Sequence, residues 1–179
     1  MTIKERYTGV LSLLAQEWPT ADSELHFENA YQLLVAVMLS AQCTDKRVNM
    51  VTPALFTAYP TVEQLAIAST DDVLQYIKSV SYPNSKSMHL VEMAKRVVEV
   101  YNGQIPNKRE ELQTLAGVGR KTANVICAVW WNQPTMAVDT HIFRVAERIG
   151  LTTNAKNPLE SEKQLIKHIP EDIIPKAHH

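Results

Sequence analysis

Between Leu115 and Val125 the chain reads Leu-Ala-Gly-Val-Gly-Arg-Lys-Thr-Ala-Asn-Val. Gly117 and Gly119, one residue apart, suit a turn that needs φ > 0 and close backbone approach. A helix opened at Asn107 precedes them and an apolar helical run to Trp130 follows, which is a helix-hairpin-helix pattern. Outward N–H groups in such a turn, at the start of a helix, make a nest for one phosphate without reading sequence, and Arg120 and Lys121 add positive charge beside it. A plain glycine-rich turn between packed helices has the same residues, so the glycine pair alone leaves both readings open. Further along, Asp139 follows the apolar Ala137-Val138 and precedes the helical run Thr140-His141-Ile142-Phe143, where it serves as an N-cap.

The elements around these residues read as helices. From Tyr7 through Val10, Leu11 and Leu14 the apolar positions fall three or four apart, and Pro19 stops that pattern. Asn29 caps the next helix, in which Tyr31, Leu33, Leu34, Val35, Val37, Met38 and Leu39 are apolar nearly all round, as in a helix buried at the centre of a bundle. Thr61 with Gln64, Asn107 with Glu110, and Asn157 with Pro158 and Glu160 each read as a cap opening an apolar-periodic run. No hairpin dipeptide or long alternating run is present, so the fold class is all-α, with about nine or ten short helices.

The 179 residues, 45% apolar and 21% charged with 5 glycines, describe a folded globular chain and exclude a collagenous, disordered or low-complexity one. The longest near-continuous apolar run, Leu33 to Ala41, falls far short of the roughly 20 residues that span a bilayer. With no secretory signal at the start, the expected compartment is the cytoplasm. Cys43 and Cys127 are too few for a disulfide scaffold, have no zinc-ligand spacing and are expected as buried thiols, so the residues themselves point to no metal. Eighteen Lys and Arg against nineteen Asp and Glu give a net charge of −1, which argues against a wholly basic nucleic-acid binder. Residues 116–149, with four cations and two anions, nonetheless carry a surplus of two positive charges, where an anionic polymer would be drawn first.

Three separated stretches resemble the endonuclease III family of helix-hairpin-helix DNA glycosylases: Leu39-Ser40-Ala41-Gln42-Cys43-Thr44-Asp45, Gly117-Val118-Gly119-Arg120-Lys121-Thr122-Ala123 and Val138-Asp139-Thr140-His141-Ile142-Phe143-Arg144-Val145. The resemblance covers nearly the whole chain. It implies a base-excision repair enzyme that removes oxidised or ring-saturated pyrimidines from duplex DNA and then nicks the abasic strand. It implies Lys121 as the nucleophile and Asp139 as the catalytic carboxylate. It further implies that Gln42 fills the gap left by an extruded base, and that Gly117, Val118, Gly119, Arg120 and Thr122 hold the DNA backbone. His141 is a candidate for the same pocket, its plainer role being structural.

The chemistry makes its own demands. An ordinary lysine titrates near ~10.4, so a Schiff-base nucleophile must have its charge disfavoured, and a helix's positive end and an adjacent arginine both act in that direction. A carboxylate fixed by its cap geometry can stabilise positive charge developing at a sugar or shuttle a proton during elimination. The alternative from another class is a non-catalytic helix-hairpin-helix DNA-binding module with a decayed active site; monofunctional relatives such as adenine DNA glycosylase lack a lysine at the matching place, so the presence of Lys121 argues for the lyase.

Departures from the family pattern also matter. Where the family commonly has a glycine, an aliphatic residue and an aromatic before Asn-Ser-Lys, this chain has Ser81, Tyr82 and Pro83 before Asn84-Ser85-Lys86. Tyr82 is then the candidate wedge in the DNA stack. Ala116 replaces the usual hairpin proline. The resemblance also implies a monovalent cation on the main-chain carbonyls of Gln113, Leu115 and Val118. Family members usually continue past a pair like His178-His179 into a loop whose four cysteines hold a [4Fe-4S] cluster; those cysteines are absent here, which points to a chain shortened before that loop.

The implied architecture is two helical lobes, residues 23–132 with the hairpin and residues 1–22 joined to 133–179, with Lys121 and Asp139 facing each other. The expected partner is double-stranded DNA carrying damaged pyrimidines or abasic sites. The protein is expected to act as a monomer, away from membranes and, in a bacterium, with the nucleoid.

Overall fold

The computed structural model describes residues 2–177. The expectations placed on His178 and His179 lie outside the described residues. Eleven helices and no strand occur among the described residues. They are α1 (Ile3–Glu17), α2 (Ala30–Ser40), α3 (Asp45–Ala58), α4 (Val62–Ala66), α5 (Thr70–Ile77), α6 (Pro83–Tyr101), α7 (Arg109–Leu112), α8 (Arg120–Trp131), α9 (Thr140–Arg148), α10 (Pro158–His168) and α11 (Ile174–Ala177). The count exceeds the expected nine or ten, and α11, a single turn of four residues, is too short to show a period in sequence.

The caps explain where most of these helices start. Asn29 Oδ1 accepts the Gln32 N–H at 2.9 Å, and Thr61 and Gln64 form a reciprocal capping box at α4. Asn157 Oδ1 accepts the Glu160 N–H at 2.9 Å, but the Glu160 carboxylate reaches the Lys156 N–H, one residue before the cap, instead of closing a box. At α7 the cap expected of Asn107 is displaced by one residue: Lys108 is the N-cap and makes no side-chain cap bond. The α1 pattern ends at Glu17, two residues before Pro19, because proline disfavours helix in the residue before it.

The chain divides into two compact units, Glu24–Ile126 and Met1–Ser23 with Cys127–His179. The division falls inside α8, between Ile126 and Cys127, where the sequence reading set the boundary between residues 132 and 133. In the Glu24–Ile126 unit, α2 is the central element, with Leu33, Leu34, Val35, Ala36 and Leu39 fully buried. Helix α6 packs against α2, α4 and α5, and α3 against α2 and α5. In the other unit, α9 packs on α10, and Tyr7, Met136, Val138, Ala146, Leu165, Ile169 and Ile174 form the core. Tyr7 Oη donates to the Leu151 carbonyl at 2.7 Å, so a core tyrosine fixes the loop after α9. No helix among the described residues is long and apolar enough to cross a membrane.

Candidate active site

The hairpin runs from α7 through Leu115–Gly119 into α8. The Val118 N–H donates to the Leu115 carbonyl at 3.2 Å and closes the turn, and the Gly119 carbonyl accepts the Ala123 N–H at 3.0 Å as the first bond of α8. Arg120, Lys121 and Thr122 are therefore the first turn of a twelve-residue helix, whose N–H groups point out of its start. Val118 is buried, so any part it takes in a ligand contact is through its backbone. Gly117 and Gly119 are both exposed, yet only Gly117 has φ in the left-handed region, at +73°. A Cβ at Gly117 would stand 3.0 Å from His89 Cβ, so this glycine is required by the fold. A Cβ at Gly119 would meet nothing within 4 Å, so no steric demand within the protein calls for glycine there.

Lys121 is exposed on that first turn. Its charge reaches Asp45, the first residue of α3, which sequence reasoning quoted within a motif without giving it a role. Burial pushes the half-buried Asp45 carboxyl above its ordinary value and the Glu24 charge adds to this, while Lys121 works against both. His89, beneath Gly117, was also missed; nothing in a lone helical histidine announces that it will support a turn 28 residues later.

Asp139 is the N-cap of α9, as its sequence position predicts, and both cap bonds fall on Oδ1: the His141 N–H at 2.9 Å and the Ile142 N–H at 2.8 Å. It is half-buried. His141 is exposed, with Nδ1 3.4 Å from the Arg144 guanidinium.

Gln42 and Tyr82, far apart in sequence, belong to loops joined by hydrogen bonds. Ser81 Oγ donates to the Gln42 carbonyl at 2.6 Å. Lys86 Nζ donates at 2.7 Å to the carbonyls of both Leu39 and Ala41, at the end of α2. Gln42 and Tyr82 are exposed and both left-handed, with φ of 53° and 55°. Cys127 is buried as expected, whereas Cys43 is only half-buried because it lies in the Gln42 loop and outside α2.

This arrangement matches known proteins along almost its whole length. Residues 35–171 match the family model described as "HhH-GPD superfamily base excision DNA repair protein". Endonuclease III of Rickettsia felis is 43% identical over 170 residues, which are 95% of this chain and 79% of that protein. Endonuclease III of Escherichia coli K12 is 37% identical over 176 residues, 98% of this chain and 83% of that one.

The chain belongs to the endonuclease III family of HhH-GPD base-excision DNA repair proteins. It is a DNA glycosylase with associated lyase activity. The solved structure of a trapped endonuclease III–DNA covalent intermediate superposes with a TM-score of 0.94 at 39% identity, covering 100% of this chain and 84% of that one. A thermostable thymine-DNA glycosylase, 19% identical with a TM-score of 0.83, shares the fold.

The [4Fe-4S] cluster associated with the endonuclease III family requires four thiolates. This chain has two cysteines, Cys43 and Cys127, and no group of three or more His, Cys, Asp or Glu among the described residues is placed to hold a metal. The residues present do not fit the cluster, and no chemical step here runs through it.

Proposed function

We propose that this chain removes oxidised or ring-saturated pyrimidines from double-stranded DNA and cleaves the abasic strand by β-elimination, with Lys121 as the Schiff-base nucleophile. The carrying observation is the position of Lys121 in the first turn of α8, two residues after Gly119, a glycine for which the fold itself has no steric need. A phosphate approaching that open backbone would seat the strand beside the lysine. Attack by the amine forms a bond to the sugar C1′ as the glycosidic bond breaks and the base departs. Asp139, rigid in its cap, stabilises positive charge at the sugar and carries a proton during elimination. The relative captured as a covalent intermediate with DNA supports the same chemistry here.

Extrusion of the base leaves a hole in the stack. Gln42 and Tyr82 fill it in this reading, while Gly117, Val118, Gly119, Arg120 and Thr122 hold the backbone and His141 is a further DNA contact. A monovalent cation on the Gln113, Leu115 and Val118 carbonyls would draw the hairpin toward phosphate. A monomer working on chromosomal DNA in the cytoplasm suits this substrate.

Borohydride trapping on a duplex with one abasic site tests the assignment. The 179-residue chain should form a covalent adduct, and Lys121→Gln should form none while still binding the duplex. An adduct that survives in Lys121→Gln would remove Lys121 from the role, and none with either chain would leave a helix-hairpin-helix module that binds without cleaving.

A further inference from the structure

Left-handed backbone is uncommon for residues other than glycine and is retained where surrounding contacts over-determine it. Gln42 and Tyr82 are two such residues, and one set of bonds reaches both. The Lys86 backbone N–H donates to the Tyr82 carbonyl at 3.1 Å while its Nζ donates to the Leu39 and Ala41 carbonyls, each at 2.7 Å. Ser81 Oγ completes the set with the 2.6 Å bond to the Gln42 carbonyl. Pro83, at the first position of α6, fixes φ immediately after Tyr82.

We infer that Lys86 and Ser81 are positioning residues that clasp the Gln42 and Tyr82 loops into a single preformed edge for entry into the DNA stack. The inference rests on the roles proposed above for Gln42 and Tyr82.

Placing a lysine here has an electrostatic logic. In the first turn of α6 its charge meets the positive end of its own helix, which is unfavourable. It is also 9% exposed, and burial lowers its affinity for the proton. What offsets these losses is the end of α2, where the dipole is negative and two carbonyls each accept one of the ammonium's three donors. A cation placed against its own helix end but satisfied by another helix's carbonyls acts as a tie between the two. Ser81 adds specificity. A glycine, common in the family at this position, has no hydroxyl, so the bond to Gln42 belongs to the variant loop that also carries Tyr82 and Pro83.

The test reads both loops in the free protein and then the DNA step. In the 179-residue chain, Ser81→Ala should speed amide hydrogen exchange at residues 40–43 and 81–84 together, by about fivefold for one lost hydrogen bond. Ser81→Thr should restore wild-type exchange. With abasic duplex, Ser81→Ala should raise KM by a similar factor while the trapping rate at saturation stays unchanged, since the nucleophile is elsewhere. Lys86→Met should give the same pattern more strongly, and should it fail to fold, Ser81→Ala still decides. Faster exchange confined to 81–84, or an unchanged KM, would overturn the clasp. If the wild-type chain traps no DNA, the functional reading fails on its own, and the exchange data still show whether the loops are coupled.

Discussion

Gly117 and Gly119 answer to different constraints, and substitution separates them. At Gly117 an alanine would be forced to φ +73° with its Cβ against His89, so Gly117→Ala should lose about 1–3 kcal/mol of stability by urea titration. Gly119→Ala meets open space, and its stability should stay within about 0.5 kcal/mol of wild type. With the hairpin backbone seating a phosphate, as proposed, a Cβ there would obstruct it, and affinity for duplex DNA should nevertheless fall, measured by fluorescence anisotropy at fixed salt. An unaltered affinity would remove the hairpin backbone from the interface. Asp139 allows a similar separation. Asparagine caps a helix about as well as aspartate, so Asp139→Asn should keep its melting temperature while base excision and trapping rates fall by about 10²-fold or more. Asp139→Ala should lose the activity and also about 1 kcal/mol of stability. If Asp139→Asn keeps full activity, the residue is a cap and nothing else.

At the scale of elements, burial shows which helices the rest depend on. Leu34 in α2 is fully enclosed, so Leu34→Ala should cost about 2–5 kcal/mol, read from the urea midpoint at unchanged m-value. The loss should be far larger than that of removing the Asn29 cap from the same helix, about 1 kcal/mol. Helix α2 was legible because its apolar positions run around every face, and α9 because an aspartate precedes a helical run. The start of α7 was not: Asn107 and Glu110 have the spacing of a cap, but the chain begins its turn one residue later. The clasp was also illegible, since nothing in the Asn84-Ser85-Lys86 stretch shows that tertiary packing turns Lys86 inward, onto the carbonyl of Leu39 47 residues away. The glycine pair was read as one feature, and the structure divides it, because φ is set by the path of the chain and sequence spacing does not report it. The positions of Lys121 after the hairpin and of Asp139 as the cap of α9 were legible from the motif stretches, whereas the electrostatic neighbour Asp45 required coordinates.

For the molecule as a whole, the buried titratable groups set the pH range over which it is stable, and their signs differ. The Tyr7 phenol is pushed up to about 12 by burial, and that of Tyr31 is raised further, first by burial and then by the charges of Glu63 and Tyr59. Below about pH 10 both phenols are protonated, folded or unfolded, and add no slope. As pH rises past that value the unfolded chain releases protons that the folded chain retains, so stability falls progressively through the raised values. Lys86 acts oppositely and earlier. Its lowered proton affinity means that the unfolded chain binds the extra proton, so between its folded value and about 10.4 stability rises with pH. Asp45, held above its ordinary value, favours folding when protonated, and that contribution is lost as pH rises from about 3.9 through its folded value. The decisive variant is Tyr31→Phe. At pH 7 it loses the 2.9 Å hydrogen bond from Tyr31 Oη to the Tyr59 carbonyl, and should be about 1 kcal/mol less stable. Above pH 10 the variant no longer has to keep a buried phenol protonated, so its alkaline decline should be shallower and the two stability curves should converge as pH rises. Thermal midpoints at pH 7, 9, 10 and 11 would show this, and parallel curves would mean that burial of Tyr31 does not set the alkaline limit.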